Sequence, residues 1–130
     1  MSIDAVISDL KSIYKLTLQG TNTLEERVSD INIENWTNNL SISRSDLYNK
    51  IALYLANEFH NHQLPFLFCD AVVTDIAGMI FGGREELPDL FWSVYLAFDA
   101  GEYPHGRNRD EDPIAVYTRP MIAHIIAKHA

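Results

Sequence analysis

The residues best suited to chemistry lie in "FHNHQLPFLFCDAVVTD", where two histidines precede a cysteine and two aspartates. A zinc site needs three or four converging donors, and common ligand spacings are C-x2-4-C and H-x3-5-H. His60 and His62 lie two residues apart at the predicted end of a helix, where side chains two apart point in different directions. Cys69 lies in an apolar run, in which a free cysteine commonly packs as a small hydrophobic residue. We therefore predict no metal site here.

Asp70 and Asp75 are the candidates for acid–base catalysis. Two carboxyl groups can share this work when their surroundings push their pKa values apart. Five residues along an α-helix correspond to about 140° of rotation, so the two side chains do not converge without another element. We expect each to reach a helix N-terminus, a tyrosine hydroxyl or solvent.

Other catalytic motifs are missing from the sequence. A nucleophilic Cys69 would need a neighbouring base, which no local sequence supplies. There is no serine nucleophile motif, phosphate-binding glycine loop or dinucleotide fingerprint. The prediction is a protein that is not an enzyme and has no cofactor.

The polar stretch 99–112 separates two apolar segments and is the third candidate. Tyrosine and arginine are favoured at protein–protein hot spots, whereas charged loops are commonly solvated connectors. Calcium binding is less favoured, because the D-x-D-x-D-G register is missing. Connector and partner-binding loop are evenly matched, and we predict the latter. The proposed contact residues are Asp99, Glu102, Tyr103, His105, Arg107, Arg109, Asp110, Glu111 and Asp112.

Helical periodicity dominates the elements that must position these residues. Apolar residues recur at spacings of three and four from Ile3 to Tyr14, after a Ser2 N-cap, and again within 43–61. The stretch 65–81 is apolar on nearly every side, which predicts the central helix of the core.

The C-terminal half contains two further helix signals. Leu87-Pro88 begins a helix that runs to Gly101, and Asp112-Pro113 begins the last helical region. Pro120 must kink or divide that region, because proline lacks a backbone N–H.

Two N-terminal segments are less regular. Thr23 and Glu26 have capping-box spacing, which predicts a short helix from Leu24. The segment 29–43 suggests short helical turns and loops, in which Ile31, Ile33 and Trp36 point inward. No segment alternates with period two. The fold prediction is therefore all-α: a compact single-domain bundle of five to seven helices around the central apolar helix at 65–81.

Composition restricts the class of protein. The 130 residues fit one domain, and the net charge of −8 lacks the basic footprint that nucleic-acid binding needs. No apolar run is long enough for a membrane span, and we see no export signal. A single cysteine excludes a disulfide within the chain. We expect a cytoplasmic protein that binds neither nucleic acid nor membrane.

Three stretches, "FCDAVVTDIAGMIF", "LPDLFWSVYLAFDAGEY" and "DPIAVYTRPMI", resemble small acidic helical immunity proteins of bacterial polymorphic toxin and contact-dependent growth inhibition systems. The resemblance covers roughly residues 65–125 and carries no shared functional motif. It implies a cytoplasmic protein that binds a cognate toxin domain and blocks its active site. Many such toxins are nucleases with basic clefts, to which an acidic inhibitor is complementary.

These observations lead to one functional prediction and two alternatives. The prediction is an immunity protein that neutralises a cognate, basic toxin domain through its acidic C-terminal half. The first alternative is a small helical enzyme using Asp70, Asp75 or a histidine, with or without a metal. The second is a helical adaptor or regulator.

Overall fold

The computed structural model describes residues 1–16, 27–105 and 110–129. Within these ranges the chain forms six α-helices and one π-helical turn, with no strand, which confirms an all-α bundle of five to seven helices. No helix within them is long and apolar enough to cross a membrane. The elements are α1 (Ile3–Ile13), α2 (Asp30–Leu40), α3 (Arg44–His60), α4 (Phe66–Gly82), α5 (Asp89–Asp99), the π-helical turn (Ile114–Thr118) and α6 (Arg119–Lys128).

Side-chain hydrogen bonds cap the starts of α1, α2, α3 and α5. The predicted Ser2 cap is confirmed, because its Oγ accepts a hydrogen bond from Ala5 N at 3.4 Å. Asn49 on α3 caps α5 from outside, since its Oδ1 accepts from Phe91 N at 3.0 Å. The short helix predicted from Leu24 lies outside the described residues.

The predicted central helix has the expected extent but shares the centre with another helix. It runs over Phe66–Gly82, while α3 is the helix that contacts all five other α-helices. Packed mainly on α3 and α5, α4 leaves Leu67 and Phe81 exposed. Apolar side chains of α4 therefore lie on its outward face as well as on its buried face. The fully buried α4 side chains are Phe68, Cys69, Val72, Val73, Ile76 and Ile80, and Phe66 is partly buried.

The irregular structure predicted for 29–43 is wrong over most of its length. A capping box between Ser29 and Asn32 begins α2, which then continues for 11 residues. Ile33 and Trp36 are buried as predicted, whereas Ile31 is 69% exposed. Residues two apart on a helix face different sides, so Ile31 and Ile33 cannot both point inward.

The last helical region is divided near Pro120, as predicted. The Asp112 carboxylate accepts hydrogen bonds from Ile114 N at 3.0 Å and Ala115 N at 3.4 Å, and the π-helical turn follows. Pro120 is the second residue of α6, where its missing N–H costs little.

The buried Thr118 ties this region to α5, because its Oγ1 donates to Ala97 O at 2.7 Å. Gly101 lies so close to Thr118 Oγ1 and the Phe66 ring that a Cβ there would collide with both. These contacts fix the position of the chain that leaves α5.

Candidate functional site

A cleft of about 380 Å³ opens on the outer side of α4. The α4 residues in its wall stand at positions i, i+3, i+4, i+7 and i+8, which is one broad face of a helix. Asp70 and Asp75, which helical geometry separates, lie at different places on this face and line the same cleft. The full lining is Arg27, Leu67, Asp70, Ala71, Thr74, Asp75 and Glu102.

Asp70 is the most perturbed carboxyl group of the cleft. Its Oδ1 is buried and has no hydrogen-bond partner among the described residues. Burial, hydrogen bonding of the protonated form to Glu102, and the charges of Glu102 and Asp99, in that order, together raise the pKa of Asp70 to about 8. The Asp70 side chain therefore holds a proton near neutral pH and faces two other carboxylates.

Asp75 has a structural role in the same cleft. The Tyr14 hydroxyl donates to Asp75 Oδ2 at 2.6 Å and accepts a hydrogen bond from Val28 N at 3.2 Å. Burial is the main cause that raises the pKa of Tyr14, so the hydroxyl stays protonated and keeps this contact. Of the three destinations predicted for each aspartate, Asp75 therefore reaches the tyrosine hydroxyl.

An aromatic row of Phe81, Trp92 and Tyr95 continues from the cleft along α4 and α5. The Trp92 ring stacks on Tyr95 with centroids 4.9 Å apart, and the edge-on Phe81–Trp92 contact spans 5.8 Å. Burial and the charges of Asp99, Glu102 and Asp70 raise the pKa of Tyr95. Tyr95 therefore adjoins the acidic groups, and the aromatic row and the cleft form one surface.

The described residues on the two sides of 106–109 in the predicted contact loop touch each other. His105 Nε2 donates to Ala100 O at 2.8 Å, and His105 N donates to Glu111 Oε1 at 3.0 Å. Glu111 Oε1 also accepts from the Tyr117 hydroxyl at 2.9 Å. The His105 ring lies between those of Tyr103 and Tyr117, with centroids 5.0 and 4.8 Å away. Glu111 and His105 thus join the described residues that flank 106–109.

The remaining predicted contact residues have different positions. Asp99 ends α5, and Asp112 caps the last helical region. Glu102 is exposed and joins Asp70 in the cleft, while Tyr103 and Asp110 are exposed. Arg107 and Arg109 lie outside the described residues. Partner binding by this set stays a prediction.

The metal and nucleophile candidates do not gather in the cleft. Cys69 is buried, its Sγ lies 3.9 Å from Leu55 O, and burial raises the pKa of its thiol, so it packs as a small hydrophobic residue. His60 is exposed, and His62 Nδ1 lies 3.3 Å from an Arg119 nitrogen. Among the described residues no three histidine, cysteine or acidic side chains form a metal-binding group.

Sequence reasoning missed the aromatic row and the pairing of Asp70 with Glu102. The signal for the first was present, because Leu67 and Phe81 made α4 more apolar than a helix with one solvent face requires. The second depends on a tertiary contact across 32 residues.

Comparison of the chain with protein-family models, with curated proteins and with solved structures finds no match.

Proposed function

We propose that this chain is an immunity protein, which binds a cognate bacterial toxin domain and blocks its active site. The observation that carries the proposal is the acidic corner formed by Asp70, Asp99 and Glu102 at the mouth of the cleft. Ionising Asp70 is costly in the free protein, because its buried Oδ1 has no hydrogen-bond partner among the described residues. A cationic group from a partner would give that oxygen the contact it lacks.

A nuclease toxin is the partner class that fits the charge of the chain. Nuclease clefts are basic because they hold phosphates, and this chain carries a net charge of −8. Opposite charges on the two proteins speed their association, while a few buried anchor residues set the lifetime of the complex. An acidic inhibitor therefore competes with nucleic acid for the same cleft.

The direct test is co-expression with candidate toxin domains, beginning with any that a neighbouring gene encodes. We expect cells to survive the toxin only when this chain is present, and the two purified proteins to form a complex whose association slows as salt is raised. A toxin domain that neither binds the chain nor loses activity in its presence would contradict the proposal.

A second candidate, an enzyme, is favoured by one observation. Asp70 holds a proton near neutral pH beside Glu102, and a carboxyl group with such a pKa is suited to general acid catalysis. The variant Asp70→Asn separates the two functions. For an inhibitor, weaker toxin binding and loss of protection go together. Loss of protection with unchanged toxin affinity would favour the enzyme.

A further inference from the structure

The outward face of α4 exposes two large apolar side chains. Leu67 is 61% exposed and Phe81 is 56% exposed. They are 14 residues apart, which is almost four helical turns, so they lie on the same side of α4 about 21 Å from each other. Between them stand Ala71, Thr74 and Gly78, which are small.

The α5 helix forms a wall beside this strip of small residues. Trp92 and Tyr95 stand one turn apart on α5, and Phe81 contacts Trp92 from α4. A Cβ built on Gly78 would meet nothing within 4 Å, so the space above this strip is open. The face is thus a shallow groove with the length of a four-turn helix.

The two ends of the groove differ in charge. Asp70, Asp99 and Glu102 gather at one end, where Arg27 also lines the cleft. The aromatic contact of Phe81 with Trp92 lies at the other end. A ligand that matched this pattern would be cationic at one end and apolar at the other.

We propose that the α4–α5 groove docks a basic amphipathic segment of the partner protein. Apolar side chains of the segment cover Phe81 and Trp92, and one of its arginine or lysine side chains enters the cleft between Asp70 and Glu102, where its charge favours release of the Asp70 proton to solvent. The identification of this partner with the toxin rests on the proposed function, whereas the chemistry of the segment rests on the groove.

Charge complementarity selects this occupant over the alternatives. A second copy of the chain would set carboxylates against carboxylates, and an anionic membrane would meet the same repulsion. A purely apolar segment would leave Asp70 Oδ1 buried without a partner. An arginine is favoured, because its planar fork matches two carboxylates and it is enriched at interface hot spots.

The groove can be tested without the toxin, using a synthetic 14-residue amphipathic helix with leucine and arginine on one face. Trp92 is partly exposed, whereas Trp36 is buried, so a change in tryptophan emission on titration reports on Trp92. We expect the peptide to change this emission, and a peptide with glutamate in place of arginine to have no effect.

Matched variants locate the binding. At pH 8, where Asp70 can ionise and asparagine cannot, we expect Phe81→Ser and Asp70→Asn each to weaken peptide binding at least tenfold. Ile31→Ser removes an equally exposed apolar side chain on α2, and Glu34→Gln removes an exposed carboxylate there. Both controls should bind the peptide like the unmodified chain. Equal losses in test and control variants, or no loss in either test variant, would overturn the proposal.

The same variants separate this inference from the proposed function. If Phe81→Ser and Asp70→Asn still bind and inhibit the toxin with full affinity, the immunity function holds and the groove is not its interface. If the variants lose peptide binding but the unmodified chain does not inhibit the toxin, the groove stands and the immunity function fails.

Discussion

Replacing Asp70 by asparagine should stabilise the folded protein, and should do so only when the pH is above the ordinary pKa of an aspartate, 3.8. Burial and, after it, the neighbouring Glu102 and Asp99 raise the pKa of Asp70 from 3.8 to about 8, so between these pH values the folded chain keeps a proton that the unfolded chain has already lost. The stability that this proton contributes is complete below pH 4 and is lost as the pH rises towards 8. Asparagine mimics the protonated carboxyl, can still donate to Glu102, and does not titrate.

The magnitude follows from the same two values. The difference between 3.8 and about 8, at about 1.4 kcal/mol for each pH unit, would approach ~6 kcal/mol for a fully enclosed carboxyl group. Asp70 is only half-buried and its cleft is open to water, which screens the charge. We therefore expect Asp70→Asn to raise the free energy of unfolding by about 1–2 kcal/mol at pH 8.

Urea denaturation at pH 4, 6 and 8 measures this effect as a difference between variant and unmodified chain. Groups common to both proteins, including Glu102, Asp99, Asp75, Arg27 and Tyr95 around the cleft, largely cancel in that difference. Glu34→Gln is the control, with an expected change below about 0.5 kcal/mol at each pH. A stabilisation that is the same at pH 4 and pH 8, or a loss of stability at pH 8, would refute the assigned protonation of Asp70.

Three further substitutions test the packing that positions the site. Ile76→Ala should lower the free energy of unfolding by about 2–5 kcal/mol in urea denaturation, because the side chain is fully buried. A loss below about 0.5 kcal/mol would contradict the core position of Ile76. Gly101→Ala should lower the free energy of unfolding by about 1–3 kcal/mol through overpacking, whereas Gly78→Ala should raise it by about 0.5–1 kcal/mol; equal effects would contradict the close approach at Gly101. Tyr14→Phe should cost about 1–3 kcal/mol, since it leaves Val28 N–H without its acceptor, and an unchanged thermal midpoint would deny that contact a role.

Helix positions were predictable because their signals are local. Serine caps, prolines and the apolar spacing of three and four residues all lie within a few residues of the helix ends that they determine. The helix α2 was missed because its sequence is rich in asparagine and serine, which favour turns and loops. Its buried face consists of few residues, Ile33 and Trp36 among them. Tertiary packing overrode the weak local propensity there.

The candidate site was less predictable, since its geometry depends on contacts between distant elements. Glu102 was predicted as a contact residue, but its position beside Asp70 requires α5 to pack along α4. Glu111 was predicted to contact a partner, and its carboxylate also accepts hydrogen bonds from His105 N and the Tyr117 hydroxyl within the chain. Glu111→Lys would disturb these contacts and Glu102→Lys would act on Asp70, so the partner affinity of each variant has to be compared with its own free energy of unfolding.

The Tyr14 hydroxyl has a consequence for how the chain opens. By contacting Asp75 and Val28 N at once, it joins the end of α1 and the chain at Val28 to α4. A local opening of α1 would remove the acceptor of Val28 N–H and the donor to Asp75 in the same event. We therefore expect hydrogen exchange at the end of α1 and at Val28 to follow one cooperative opening.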